Sequence, residues 1–257
     1  MYRRKVRPKK SLGQHFLKDL SVAERIADIL PTDNGLPALE IGPGAGVLTQ
    51  FLLRSHPDLK VVELDRESAT FLHANFPALR DRIVEADFLK LDLHGLFPEK
   101  FMVIGNYPYN ISSQIFFKVL EYKDMIPICG GMVQKEVAER LASKPGKKAY
   151  GIISVLLQAW YDIEYLFTVG PEVFDPPPKV QSAVIRLTRN SRTALGCDEN
   201  RFRTVVKTAF NQRRKTLRNS LKLLLEDRTD LAAQPIFDRR PEQLSVEEFV
   251  GLTEMIF

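Results

Sequence analysis

Residues 36–55 read LPALEIGPGAGVLTQFLLRS, and the turn inside that stretch, Glu40-Ile41-Gly42-Pro43-Gly44-Ala45-Gly46, decides the fold. A short apolar run ends in three alternating glycines and resumes with helical spacing, which reads as strand, tight turn, helix. Glycines at such a turn let a ligand lie directly against backbone that any side chain would hold away. The spacing excludes two familiar phosphate cradles. A dinucleotide turn needs G-x-G-x-x-G, whereas this chain offers G-x-G-x-G behind an acid, and the Gly-Lys-Ser/Thr ending of a P-loop is missing. Taken alone, the stretch reads equally well as a purely structural turn.

The same alternation continues outward. Apolar strands at KVVELD (60–65), RIVEAD (82–87), FMVIGN (101–106) and PICGGMVQ (127–134) are separated by helix-like segments such as ESATFLHANF and SSQIFFKVLEY. This order predicts an α/β fold, a parallel sheet covered on both faces with ligands at the carboxyl ends of its strands. YDIEYLFTV (161–169) and VQSAVIRLT (180–188) are joined by a connection too short for a crossover helix, so they are expected to pair antiparallel at the sheet edge. Upstream, SVAERIADIL (21–30) has helical spacing. From about residue 191 the pattern turns helical, with ENRFRTVVKTAF and KTLRNSLKLLLED as periodic segments. The expected organisation is residues 1–190 as an α/β domain with a basic N-terminal arm and 191–257 as a small all-helical domain.

Composition narrows the function classes. At 44% apolar and 27% charged residues the chain is globular rather than disordered or fibrous. The longest apolar stretch, YGIISVLLQAWY (150–161), is interrupted by Gln158 and too short to cross a bilayer. No hydrophobic segment or cleavage site follows the basic N-terminus, so a cytoplasmic protein is expected. Cys129 and Cys197 suggest two thiols in a reducing compartment. His15, His56, His73 and His94 show no ligand spacing, and no metal is expected. The net charge of +5 is unevenly spread. Arg3, Arg4, Lys5, Arg7, Lys9 and Lys10 crowd the first ten residues, and Arg201, Arg203, Lys207, Arg213, Arg214, Lys215 and Arg218 form a second acid-free run. Two basic clusters flanking an enzyme-like core suggest a nucleic-acid partner.

Two strand-end acids follow the glycine turn. Glu63, about twenty residues on, stands where an acid can accept both hydroxyls of a ribose. Asp87 ends the next strand, where a carboxylate can accept an amino hydrogen and Phe88 can lie against a purine. Singly, each is most simply a solvated strand-end carboxylate. In order behind EIGPGAG they describe a nucleoside site without a pyrophosphate cradle. The next strand delivers Asn106-Tyr107-Pro108-Tyr109, a carboxamide, a rigid proline and flat rings.

EIGPGAG, Glu63, Asp87 and NYPY in this order resemble the Rossmann-like S-adenosylmethionine-dependent methyltransferases, and Asn-x-Pro-Tyr resembles the motif of enzymes that methylate exocyclic amines of bases. KKSLGQHFL (9–17), VFDPPPKVQSAV (173–184) and FNQRRKTLRNSL (210–221) are similar to the rRNA adenine dimethyltransferases, specifically the small-subunit (16S) branch. The resemblance implies that His15 and Leu17 touch the cofactor, that Gly42 and Gly44 pass under its methionine portion, that Glu63 holds its ribose and Asp87 its adenine amine. Asn106 would be shared between cofactor and substrate. Relatives often carry Asn where this chain has His15. The resemblance further implies that the Asn106 oxygen and the Tyr107 main-chain carbonyl accept the N6 hydrogens of an adenine, that Tyr109 stacks on one face of the base and that Phe174 stacks on the other. The implied substrate is two adjacent adenines in a hairpin loop near the 3′ end of small-subunit rRNA, presented on a pre-30S particle to a monomeric enzyme. Competing expectations are a large-subunit rRNA dimethyltransferase, a DNA adenine methyltransferase, and a non-catalytic assembly or RNA-binding factor on the same fold.

Overall fold

The computed structural model describes residues 6–9, 12–226 and 228–257, and among them are nine strands and eight helices of at least seven residues, the last at Val246–Ile256. In chain order they are β1 (Phe16–Leu17), α1 (Leu20–Ala27), β2 (Ala38–Ile41), α2 (Thr49–Ser55), β3 (Lys60–Glu63), α3 (Arg66–Asn75), β4 (Ile83–Glu85), β5 (Met102–Asn106), α4 (Ser112–Glu121), β6 (Ile128–Gln134), α5 (Lys135–Leu141), α6 (Ile152–Gln158), β7 (Tyr161–Val169), β8 (Phe174–Asp175), β9 (Ser182–Arg189) and α7 (Glu199–Asn211). Seven strands form one sheet in the order β4-β3-β2-β5-β6-β9-β7, while β1 and β8 pair separately.

The pairs β2·β3, β3·β4, β2·β5 and β5·β6 are parallel. All four residues of β2 are buried, as are the first four of β5, the continuous burial a strand acquires when helices cover both faces of a parallel sheet. Having built β2, β3 and β4 outward, the chain returns across β2 to add β5 on the other side. The order therefore reverses between β2 and β5, and the loops leaving those two strands part to open a crevice there. The edge is antiparallel, with β9 against β6 and β7 outside β9.

Local sequence fixes where the helices begin. Asp19 caps α1 by accepting the Ser21 N–H at 2.9 Å, and Asp65 caps α3 by accepting the Ser68 N–H at 3.3 Å. Each cap satisfies an otherwise orphaned amide. Ile26, Leu52 and Leu72 from the three helices pack into one core with Ala38, Val61, Met102 and Ile104 of the sheet.

Two compact units emerge. The first holds the described residues up to Ala138 together with Ile163–Arg189, and the second holds Glu139–Asp162 and Asn190–Phe257. The second unit thus begins near the expected boundary at 190 but also takes in 139–162, a segment expected in the first. Packing explains this. Tyr150, fully buried, lies 6.3 Å edge-on from Phe210 of α7, and Phe210 stacks at 5.9 Å on Phe249 of the final helix. The periodic segment that starts at 215 is, over its described residues to 226, also not one helix: it forms two four-residue turns, Leu217–Ser220 and Lys222–Leu225, that meet at Leu221. The leucines at 217, 221 and 225 are buried while Leu223 is 88% exposed, so burial and not helical continuity carries their period. Among the described residues no helix is long and apolar enough to cross a membrane, and no His/Cys/Asp/Glu group could hold a metal ion.

Candidate active site

A pocket opens at the crevice between β2 and β5, lined by the residues that leave β2, β3, β4 and β5 at their carboxyl ends and by the segment Leu12–Phe16. His15, Gly42, Gly44, Glu63, Asp87, Asn106 and Tyr109 all line it. Leu17 and Phe174 do not. They face each other across the β1·β8 pair, 4% and 1% exposed, inside the hydrophobic core. Phe174, expected to stack on the base, is thus buried in this structure. Pairing of the two short strands packs its ring beside Leu17 in the core. Leu17 lines a small cavity that it shares with Gly42, Gly44 and Asn106.

One half of the pocket is shaped by missing side chains and main-chain donors. Gly42 and Gly44 adopt φ of +65° and +55°, left-handed values that cost any L-residue with a Cβ. A Cβ on Gly44 would also stand 2.9 Å from the Phe16 ring. The Gly44 N–H donates to Glu63 Oε2 at 2.9 Å and the Asp65 N–H to Oε1 at 2.8 Å. Each carboxylate oxygen keeps a lone pair for a further donor, as two ribose hydroxyls require. Burial raises the Glu63 pKa, and those two N–H groups pull it partly back. Asp87 accepts the Leu89 N–H at 3.0 Å through Oδ1, leaving Oδ2 with Lys90 at 3.8 Å. Phe88 beside it supplies an apolar wall. Glu40, the acid opening the glycine motif, is only 1% exposed and accepts the Thr49 hydroxyl at 2.6 Å. Burial pushes it up to about 8, so it carries a proton at neutral pH and serves as a structural hydrogen-bonding group under the turn.

The other half is shaped by anchored side chains. Asn106 Nδ2 donates to the His15 main-chain carbonyl at 3.2 Å. A carbonyl can only accept, so this contact fixes the amide's orientation and leaves Oδ1 as an uncommitted acceptor. Tyr107 is buried and donates its hydroxyl to the Gly130 carbonyl at 2.7 Å, with Cys129 Sγ at 3.4 Å. Its ring lies over Gly105 and Gly131, which pair in register. A Cβ on either would come within 2.9 Å of the ring, and one on Gly105 would meet the Ile41 carbonyl at 2.7 Å. The turn therefore hangs from a ring embedded in the sheet. Tyr109 bonds Ser182 Oγ through its hydroxyl at 2.5 Å and stacks against His15, centroids 5.3 Å apart.

Sequence reasoning missed several contributors. The Tyr107 ring and its two glycines carry no local signal, because the partner strand lies more than twenty residues away. Lys9, read as part of an RNA-binding arm, instead pairs with Asp65 and lies 3.6 Å from Glu67, pinning the segment that leads to the pocket rim. Arg3, Arg4, Lys5 and Lys10 lie outside the described residues. In the second basic run, Arg218 pairs with Asp238 at 2.7 Å and Arg201 lies over the Phe257 ring, while Lys207, Arg214 and Lys215 are exposed.

An open sheet whose switch point presents a bare glycine turn, two successive acids and an anchored Asn-x-Pro-Tyr turn defines a Rossmann-like, S-adenosylmethionine-dependent methyltransferase. The lining suits that cofactor: carboxylate acceptors for two hydroxyls and an amine, and a turn bare of Cβ atoms at Gly42 and Gly44. Residues 5–256 match the family model described as ribosomal RNA adenine dimethylase, and the chain belongs to that family. It is similar to the ribosomal RNA small subunit methyltransferase A of Parabacteroides distasonis, 70% identical over 250 residues that cover 97% of this chain and 94% of the relative. The protein of that name from Bacteroides thetaiotaomicron is 63% identical, covering 98% and 94%. Among solved structures, a dimethyladenosine transferase from Plasmodium falciparum superposes with a TM-score of 0.78 at 21% identity, covering 93% of this chain and 96% of that one. The 23S rRNA methyltransferase ErmE follows at 0.68 and 26%, covering 94% and 99%.

Proposed function

We propose that this enzyme dimethylates the N6 amines of two adjacent adenines in the 3′-terminal hairpin loop of small-subunit rRNA, acting as a cytoplasmic monomer on the pre-30S particle. The observation that carries the reading is the Asn106 amide, pinned through Nδ2 to the His15 carbonyl with Oδ1 left to accept. S-adenosylmethionine, when bound, supplies an electrophilic methyl group on a sulfonium. Glu63 would hold its ribose, Asp87 its adenine amine, and Gly42 and Gly44 would lie beneath its methionine portion.

The remaining chemistry belongs to the chain. An adenine N6 is a poor nucleophile because its lone pair is delocalised into the ring. Asn106 Oδ1 and the Tyr107 carbonyl accept its hydrogens, draw the nitrogen toward tetrahedral geometry and free the lone pair. These acceptors are in place before the base arrives, and they act most strongly on the positive charge that develops in the transition state. Pro108 and the buried Tyr107 ring keep them there, and Tyr109 offers a stacking face to the extruded base. The methylated nitrogen is acidic enough to lose its proton to water, so no strong base is needed. The exposed cations of the helical unit would dock the RNA backbone.

The test is labelled-methyl transfer to unmodified small-subunit particles, with large-subunit particles and duplex DNA as parallel substrates. Dimethyladenosine in small-subunit rRNA, absent from cells lacking the protein, is the expected result. Transfer only to large-subunit RNA or to DNA would overturn the substrate assignment. Binding without transfer would leave a scaffold.

A further inference from the structure

We propose that Lys118 is a positioning residue for the adenine end of the cofactor, holding the turn that carries Asp87 and Phe88 without touching the ligand itself. This rests on the assignment of Asp87 to the adenine amine under the proposed function and adds the residue that sets it. Helix α4 buries Ile115, Phe116, Val119 and Leu120, and Lys118 on the same helix is only 7% exposed. A helical lysine ordinarily carries its ammonium out to water. Once buried, that charge is tolerated only where its N–H groups find acceptors. Lys118 does not line the pocket, whereas Asp87, Phe88 and Leu89 do.

The acceptors it finds are main-chain carbonyls of one short segment. Lys118 Nζ donates to the Leu89 carbonyl at 3.1 Å and to the Leu91 carbonyl, and it lies 5.5 Å from the centre of the Phe88 ring. Phe88–Lys90 is a single helical turn of three residues, too short to hold its own shape. Asp87 caps its start by accepting the Leu89 N–H, and Lys118 closes its end, where carbonyls of a helical turn lack donors. One turn further along the helix, Tyr122 donates its hydroxyl to Asp92 Oδ1 at 3.1 Å and fixes the chain as it leaves. Lys90 is the other cation beside Asp87, but it belongs to the turn itself and its side chain is 86% exposed, so it anchors nothing. Burial lowers the Lys118 pKa, while the charges of Glu121, Asp87 and Asp92 act to raise it. Without the ammonium, two carbonyls lose their donor and three carboxylates a counter-charge, and the turn is expected to shift, carrying Asp87 Oδ2 and Phe88 out of register with the ligand.

The experiment measures, by calorimetry, Kd for S-adenosylhomocysteine and for the analogue whose purine lacks the exocyclic amine. Wild type should bind the amine-bearing ligand about tenfold more tightly, the scale of one hydrogen bond to a charged group. Lys118→Met keeps the apolar stem and removes the charge. It should weaken S-adenosylhomocysteine about tenfold and bring the ratio between the two ligands close to one, with kcat at saturating cofactor and KM for RNA near wild type. Lys118→Arg should recover part of the ratio. A Lys118→Met enzyme that keeps the wild-type ratio would overturn the proposal, because a merely structural lysine weakens both ligands alike. Equal binding of the two ligands by wild type would instead sink the assignment of Asp87, and the proposal with it. Should Lys118→Met fail to fold, the wild-type ammonium decides. Its nitrogen resonance, assigned by its absence in Lys118→Arg, should shift when S-adenosylhomocysteine binds and much less with the amine-free analogue; equal shifts, or none, would refute the positioning role.

Discussion

Two turns leave neighbouring strands, Gly42–Gly46 after β2 and Asn106–Tyr109 after β5, and both face one pocket although they are built on opposite principles. The first makes room by omission. Left-handed glycines remove the Cβ at 42, 44 and 46, and the chemistry is left to the main chain and to Glu63, which the Gly44 N–H orients. The second makes a fixed shape by bulk. A buried ring, a proline and an anchored amide leave the acceptors almost no freedom. The difference fits the two ligands. A cofactor that must bind and leave every cycle needs a smooth bed, whereas an amine that must be re-hybridised needs acceptors already in place.

Substitutions can break that contrast, and the largest effect is expected in the second turn. Asn106→Ala should lower kcat by about 10²–10³, the scale of losing one preorganised polar group, while cofactor binding stays measurable by calorimetry. A wild-type rate would refute the acceptor role. Next comes the acid beneath the first turn. Its folded pKa of about 8 lies above the ordinary 4.5, so the folded protein holds a proton that the unfolded chain has lost between those values. Stability from this group is therefore full below pH 4.5 and falls as pH rises to 8. Glu40→Gln should flatten the stability profile by about 1.4 kcal/mol per pH unit in that window, read by urea unfolding at several pH values. Parallel profiles for the two proteins would mean that Glu40 is ionised.

Smaller effects sharpen the same comparison. Gly44→Ala must place a Cβ at φ +55° against Phe16, and a strain of about 1–2 kcal/mol should weaken cofactor affinity roughly tenfold without altering the RNA KM. An equal loss on both sides would show that the turns are not separable. Tyr107→Phe removes the hydroxyl from the Gly130 carbonyl and should cost about 1 kcal/mol of stability by thermal unfolding, with kcat close to wild type. A large kcat loss would instead mean that this hydrogen bond, and not the ring, sets the turn.

What could be read from the sequence divides along the same line. The glycine turn, Glu63, Asp87 and Asn106 were legible because each stands at the end of its own strand, and the strand pattern alone orders them in space. The support of the second turn was not. Gly105 and Gly131 read as ordinary strand glycines until their register places both under one ring. Phe174 beside three prolines reads as a loop aromatic until the two-residue pairing with Leu17 buries it. Lys9 reads as a free charge until Asp65 stands opposite. The helical unit recruits 139–162 through Tyr150, a contact sixty residues from Phe210 in sequence. Each of these is a long-range pairing that no local pattern encodes.

The central claim concerns one oxygen, and a crystal structure of the enzyme with S-adenosylhomocysteine and the RNA hairpin tests it most directly. Asn106 Oδ1 should lie about 3 Å from the target N6 while Nδ2 keeps its bond to the His15 carbonyl. An amide turned so that Oδ1 meets a protein donor, or a target N6 beyond hydrogen-bond reach of it, would contradict the account.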